Sequence, residues 1–190
     1  CMILQGALNV FGAIKIAGYT AAQKVEMLVT VSAGTFGVTM ANYTGQNLGA
    51  NNIQRIKQGT LAGAILCCIF ATVGMLVALI FPNQLSMLFI DMNSEISSQC
   101  LLSAKTYLYY TAPFYPMLFL IFIYRNVLQS MGHSFMPLMA GFFELVARLI
   151  VSIVVPPFLG FAGVCLANAI AWPAAAIPLI ITYYRKIKKY

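Results

Sequence analysis

Long apolar stretches alternate along this chain with short segments that collect the polar residues. Residues 19–46 form a long mixed stretch with Lys24 and Glu26 in its first third. Residues 56–81 hold no charge after Lys57, and residues 101–124 are uncharged from Thr106 up to Arg125. Residues 134–155 are apolar except for Glu144 and Arg148, and residues 161–184 carry no charge before Arg185. Each stretch has the roughly 20 residues a helix needs to cross a bilayer. A closed β-barrel is the other spanning solution, but its strands alternate sides at every second residue. The run from Leu61 to Phe81 is apolar all round instead. Residues 1–13 are apolar but too short to span, and read as the end of a truncated helix. The expectation is an all-α integral membrane protein, a polytopic bundle of about six transmembrane helices whose first is partial. Residues 185–190 follow as a basic tail.

The breaks between these stretches have local causes. Gly45, Gly49, Asn51 and Asn52 are expected to stop the 19–46 helix. Pro82–Asn83 ends the next one, Gly132–His133 the 101–124 helix, and Pro156–Pro157 with Gly160 the 134–155 helix. Pro113 and Pro116 fall within the 101–124 span, and Pro173 and Pro178 within the 161–184 span. Internal prolines either serve packing or bend a helix to open a cavity. Gly59 and Gly63 form a GxxxG, which permits close helix contact.

Composition sharpens this picture. The 190 residues are 61% hydrophobic and 8% charged, against about 25% charged in soluble domains. That excludes a soluble enzyme and a disordered chain. The net charge of +7 does not indicate nucleic acid, because the bases sit at the ends of apolar runs rather than in a patch. Seven of them, Arg55, Lys57, Arg125, Arg185, Lys186, Lys188 and Lys189, fall on one side of the membrane, and Lys15, Lys24 and Lys105 on the other. The richer side is expected to be cytoplasmic. The 82–100 connector, with Asp91 and Glu95, then faces outward. The five cysteines are odd in number, lack CxxC spacing and lie largely in apolar runs. They read as packing residues, neither a disulfide framework nor a metal site.

Catalytic chemistry finds no support. The lone histidine, His133, sits at a break, and no HExxH, nucleophile elbow, paired carboxylates or phosphate-binding loop occurs. Movement of a substrate would therefore need an ion gradient or an ATPase on another chain. The informative groups are the embedded charges, because they are costly in lipid. Glu144 lies about 15 Å into its span, near the midplane. Arg148 follows one turn later on the same face. The two are expected to pair, either as a clamp between helices or as an ion-coupling element. Lys24 is expected to snorkel outward. Glu26 either lines a water-filled cavity or pairs with Lys105 or another residue. Tyr107, Tyr110 and Phe114 share a helical face, which suits an interfacial aromatic belt or a cation–π surface for organic cations.

The stretch Asn42–Ala50, NYTGQNLGA, followed by Arg55, resembles the G-Q-N-x-G-A segment of multidrug and toxic compound extrusion (MATE) transporters. Gly45, Gln46, Asn47, Gly49, Ala50 and Arg55 carry that likeness, at the cytoplasmic end of the second helix of a half. Other pieces are similar in the same order: residues 9–28, 124–137, 144–148 and 160–172. The resemblance implies that residues 1–190 are the C-terminal six-helix lobe of a two-lobe, twelve-helix transporter, with the other lobe ahead of residue 1. It implies an antiporter of the bacterial cytoplasmic membrane, exchanging Na+ or H+ for organic, often cationic, drugs and toxic compounds by alternating access. No cofactor beyond the coupling ion is implied, and the expected partners are substrate, membrane lipid and the other lobe, not nucleic acid. The lobe's cavity would be lined by Gln5 and Asn9, by the 19–46 helix with Glu26, and by the tyrosines of the 101–124 helix. One departure bears on coupling: some members carry an acid on the tenth helix as part of a sodium site, whereas residues 96–143 contain no Asp or Glu. A lipid-linked precursor flippase and a non-transporting membrane fragment are the alternatives. An intramembrane enzyme is a further option that lacks any catalytic constellation.

The charge count makes a direct prediction. A green fluorescent protein fused after Tyr190 is expected to fluoresce in bacterial cells, and alkaline phosphatase fused there to remain inactive. The opposite pair of results would invert the assigned orientation.

Overall fold

The computed structural model describes Leu8, residues 11–90 and residues 96–190. The elements are α1 (Ala13–Gly49), α2 (Ile53–Ile80), a short α3 (Pro82–Met87), α4 (Ser97–Thr111), a 3-10 turn (Ala112–Phe114), α5 (Tyr115–Ser130), α6 (Phe135–Val154), a short α7 (Pro156–Leu159) and α8 (Phe161–Ile187). No strand occurs among the described residues. Among the described residues four helical segments are long and apolar enough to cross a membrane: Ile53–Ile80, Ser97–Ser130, Phe135–Val154 and Phe161–Ile187. At 37 residues α1 is longer than any other helix described, about 55 Å at the standard rise, but it carries Lys15, Gln23, Lys24 and Glu26.

Several ends differ from the sequence reading for identifiable reasons. The helix expected from residue 19 begins at Ala13, just after Gly12 with its φ of 84°. It passes through Gly45 and stops at Gly49. Asn51 then takes a left-handed φ of 53°, which asparagine tolerates better than most side chains. Asn52 caps α2, its Oδ1 accepting from the Arg55 N–H at 3.1 Å. Pro82 occupies the first turn of α3, where its missing N–H costs nothing. Pro113 sits in the 3-10 turn that divides the 101–124 stretch, and Pro116 in the first turn of α5. α8 continues through Pro173 and Pro178.

α1, α4–α5 and α8 run in one direction, and α2 and α6 return. Cross-contacts fix this: the Cys100 thiol lies 3.5 Å from the Ile14 carbonyl, Tyr19 meets Phe161, and Tyr124 meets Tyr183. The α4–α5 rod is central, packed against α1, α2 and α8, while α6 packs chiefly along α8. Among the described residues the core forms two clusters. One holds Met40, Ile56, Phe119, Leu128, Trp172 and Leu179 toward the Arg55 end. The other holds Tyr19, Val25, Tyr107, Leu108, Phe161 and Val164 toward the Gly12 end.

Lipid is as apolar as a leucine side chain, so helices in it associate through close packing rather than hydrophobic burial. Small residues supply that closeness. α8 buries Ala167, Ala169, Ala171, Ala175 and Ala176. At Gly18 a Cβ would collide with the Cys100 carbonyl of α4. Gly59 and Gly63 lie under the Tyr43 ring and the Met40 thioether, so the GxxxG joins α1 and α2 of the same chain. Cys67, Cys100 and Cys165 are buried free thiols, and Cys68 is half-buried. The outer face of α2, with Leu61, Ile65, Ile69 and Val73, is exposed and apolar, as suits contact with acyl chains.

Gly18→Val is expected to lower thermal stability in detergent by about 1–3 kcal/mol through overpacking of the α1–α4 contact. Gly45→Ala, at a position with open space around it, is expected to leave stability unchanged or raise it slightly. Thermal unfolding followed by fluorescence-detected size exclusion measures both.

Candidate functional site

The helical period puts Tyr19, Gln23 and Glu26 on one face of α1, turned toward α4 and α8. There the Tyr107 hydroxyl donates to Glu26 Oε2 at 2.7 Å. The Asn168 amide of α8 donates to the Tyr107 and Tyr19 hydroxyls at 3.2 and 3.3 Å. The Gln23 amide donates to the Tyr19 hydroxyl at 3.3 Å. The rings of Tyr19 and Tyr107 meet edge to face, with centroids 4.7 Å apart. Tyr107 and Asn168 are buried, whereas Glu26 is half-buried. Glu26 forms part of the wall of a cleft of about 390 Å³ lined also by Thr20, Gln23, Lys24, Met27 and Thr30.

A relay therefore runs from Asn168 through Tyr107 to Glu26, with each donor polarising the next. Tyr107 directs its only O–H at the carboxylate, a charge-assisted bond of the strong kind. Lys105, a candidate partner for Glu26, stands instead over the Tyr109 ring at 5.5 Å. Lys24 sits over Phe89 at 5.7 Å. The oxygens of Glu26 and its phenol and amide neighbours form a hard donor set. That set is unlike the thiolate sets that hold soft metal ions.

The second charged group lies on α6. Arg148 Nη2 donates to Glu144 Oε1 at 2.7 Å, the expected i,i+4 pair. Arg125 of α5 adds its Nη2 at 3.9 Å from the other Glu144 oxygen. Both ion pairs among the described residues thus share one carboxylate.

The aromatic stripe does not act as one surface. Tyr107 points to Glu26, Tyr110 is 39% exposed, and Phe114, after the 3-10 turn, packs on the other core cluster. Gln5 and Asn9, and most of the 1–13 segment, lie outside the described residues, as do Asp91 and Glu95. The Gly45–Ala50 motif builds the α1–α2 turn. The Ala50 N–H bonds to the Gln46 carbonyl at 3.1 Å, the Asn52 N–H to the Asn47 carbonyl at 2.8 Å, and the Asn47 amide to the Tyr43 carbonyl at 2.8 Å. The Tyr43 hydroxyl donates to the Arg55 carbonyl at 3.1 Å.

Tyr19, Gln23, Asn168 and Arg125 were not legible as site residues. Asn168 carried a signal, being an amide deep in an otherwise uncharged apolar span. Tyr19 and Gln23 carried one too, at helical spacing ahead of Glu26.

The shared carboxylate sets an order for substitutions. Glu144→Gln leaves two guanidinium groups without a counter-charge and is expected to destabilise most, by about 2 kcal/mol after allowance for partial exposure. Arg148→Gln is expected to cost less, because Arg125 can take over the carboxylate. The Glu144→Gln/Arg148→Gln pair is expected to recover part of the Glu144→Gln loss. Thermal unfolding of the three variants tests this order, and a milder Glu144→Gln would refute it.

Among curated proteins none matches the chain. The MatE family model matches residues 1–154. Among solved structures, a MOP superfamily transporter from Pyrococcus furiosus, described as having a binding pocket of reverse polarity, aligns with 98% of this chain and 41% of its own, at 19% identity and a TM-score of 0.88. An outward-facing multidrug resistance MATE transporter aligns with 99% of this chain and 42% of its own, at 17% identity and a TM-score of 0.88. A MATE protein in complex with MaL6 aligns with 100% of this chain and 43% of its own, at 18% identity and a TM-score of 0.85. The chain thus spans about two fifths of the length of each. In fold the chain is similar to part of each of these structures, and the match to the family model over residues 1–154 places it in the MatE family.

Proposed function

We propose that this chain forms one lobe of a cation-coupled antiporter that exports organic, often cationic, compounds by alternating access. The observation that carries the reading is the half-buried Glu26, held by Tyr107 at 2.7 Å on the wall of a polar cleft along α1. An acid in that setting is expensive unless it is used. Glu26 is the coupling group in this reading. Its carboxylate accepts H+ or Na+ in one state and faces the cationic substrate in the other.

Exchange requires that ion and substrate bias the two states in opposite directions. The relay offers a means. Protonated or cation-bound, Glu26 attracts the Tyr107 hydroxyl less, and Tyr107 is the group that ties α4 to α1 and α8. A change of charge at Glu26 is thereby passed to three helices as a change in their hydrogen bonding. The exposed Tyr110 adds an aromatic face for an organic cation. The basic helix ends and the Arg185–Tyr190 tail face the cytoplasm, in a bacterial cytoplasmic membrane. The remaining cavity wall comes from a second lobe of the same protein.

The test is efflux of ethidium from cells expressing the protein, repeated with the sodium and then the proton gradient collapsed. Efflux is expected to stop with one of the two. Glu26→Gln is expected to reduce coupled efflux at least about tenfold, and Tyr107→Phe to reduce it less, with both variants present in the membrane at wild-type level. Efflux that survives both collapses, or a fully active Glu26→Gln protein, would overturn the assignment. No efflux from a folded protein would favour a flippase of related architecture.

A further inference from the structure

The arrangement around Arg125 has no part in the relay at Glu26. One carboxylate faces two guanidinium groups there, and Arg148 holds it at 2.7 Å while Arg125 stands at 3.9 Å. Arg125 is the surplus charge. Its Nε is buried without a hydrogen-bond partner among the described residues. It lies one to two turns before the end of α5, about 7.5 Å below Ser130 along the axis, and its guanidinium reaches across toward Glu144 of α6.

A cleft of about 500 Å³ opens at this level between α5 and α6, lined by Arg125, Gln129, Ser134, Pro137, Leu138 and Gly141. It exists because α6 packs along α8 and only lightly touches α5. The Arg125 guanidinium extends across to α6, where Gly141 leaves room for it. Two further polar groups share the cleft. Gln129 is exposed, and the Ser134 side chain makes no capping bond to α6 although it stands at the capping position. Beside the cleft, along α6, the side chains of Phe135, Leu138 and Phe142 are 71%, 69% and 54% exposed. The cleft thus joins a guanidinium with free hydrogen-bonding capacity and two neutral polar groups at the helix ends to an apolar strip running toward the membrane centre.

We infer that this cleft is a binding site for an anionic phospholipid. Its phosphate sits on Arg125 within reach of Gln129 and Ser134, and its acyl chains lie along Leu138 and Phe142. A bidentate guanidinium–phosphate contact is among the strong charge-assisted pairs, and basic pockets between helices near the membrane surface are suited to anionic headgroups. A zwitterionic headgroup brings a cation as well as a phosphate, and the carboxylate at hand, Glu144, is already held by Arg148. A net negative lipid is therefore preferred.

The experiment is titration of the purified protein in detergent with phosphatidylglycerol and with phosphatidylcholine of the same chain length, followed by native mass spectrometry. Wild type is expected to bind phosphatidylglycerol at least about tenfold more tightly. Arg125→Gln should erase the preference, and Arg125→Lys should keep part of it. Gln129→Glu, at an exposed position one turn from Arg125 on the same cleft, puts a carboxylate beside the guanidinium and should weaken phosphatidylglycerol selectively, and it carries the test should Arg125→Gln fail to fold. Equal affinity of wild type for the two lipids would overturn the proposal, as would a preference unchanged by Gln129→Glu. So would displacement of the lipid by glycerol 3-phosphate at equal concentration, which would identify a site for soluble anions instead.

Discussion

The hydrogen bond from Tyr107 to Glu26 is the interaction on which the arrangement of this bundle turns. Between apolar helices in lipid little distinguishes one packing from another, because apolar faces gain almost nothing by choosing a particular neighbour. A half-buried carboxylate is different. It needs donors, and leaving it without them costs more than any single apolar contact returns. Tyr107 supplies one donor, and Asn168 fixes Tyr107 from the far side. Three helices that run in the same direction are thereby held in one rotational setting about their own axes. The small residues of α8 and Gly18 of α1 allow the approach that these bonds require.

The two charged groups of the bundle are built on opposite principles. Glu26 accepts from the neutral Tyr107 hydroxyl and belongs to neither of the ion pairs found among the described residues, so its charge can change without breaking one. Glu144 is paired with Arg148 and approached by Arg125, so a change in its charge would strand a guanidinium. The first design suits a group that alternates between ionisation states or ligands. The second suits one that stays put. In the proposed reading, that contrast makes Glu144 and Arg148 a clamp and gives the coupling role to Glu26.

Much of the fold was legible because lipid narrows the choices to one kind of secondary structure. Runs such as 56–81 and 161–184 could only be helices, and Pro82, Gly132 and Gly160 mark breaks that the structure places close to where they were read. The division of the 101–124 stretch was not legible. Pro113 and Pro116 announce a disturbance, but whether it is a kink, a break or a 3-10 turn depends on the neighbours. The site was half legible for a similar reason. Glu26, Glu144 and Arg148 stand out as charges in apolar runs. Tyr19, Gln23 and Asn168 acquire their role only when parallel α1, α4 and α8 lie side by side. Arg125 was read as a helix-end charge, since nothing in its own neighbourhood points to a carboxylate on the next helix.

The 3-10 turn at Ala112–Phe114 has a consequence for the central rod. A 3-10 residue advances the chain by about 120° and an α-helical residue by about 100°, so three of them shift the angular phase by roughly 60°. The rod from Ser97 to Ser130 is therefore two helices with different phase rather than one long one. The residues of α4 that meet α1 and α8 around Glu26 are angularly uncoupled from the residues of α5 that build the lower core and carry Arg125. A torsion of a few degrees at this joint would also turn the two halves against each other while every helix stays intact.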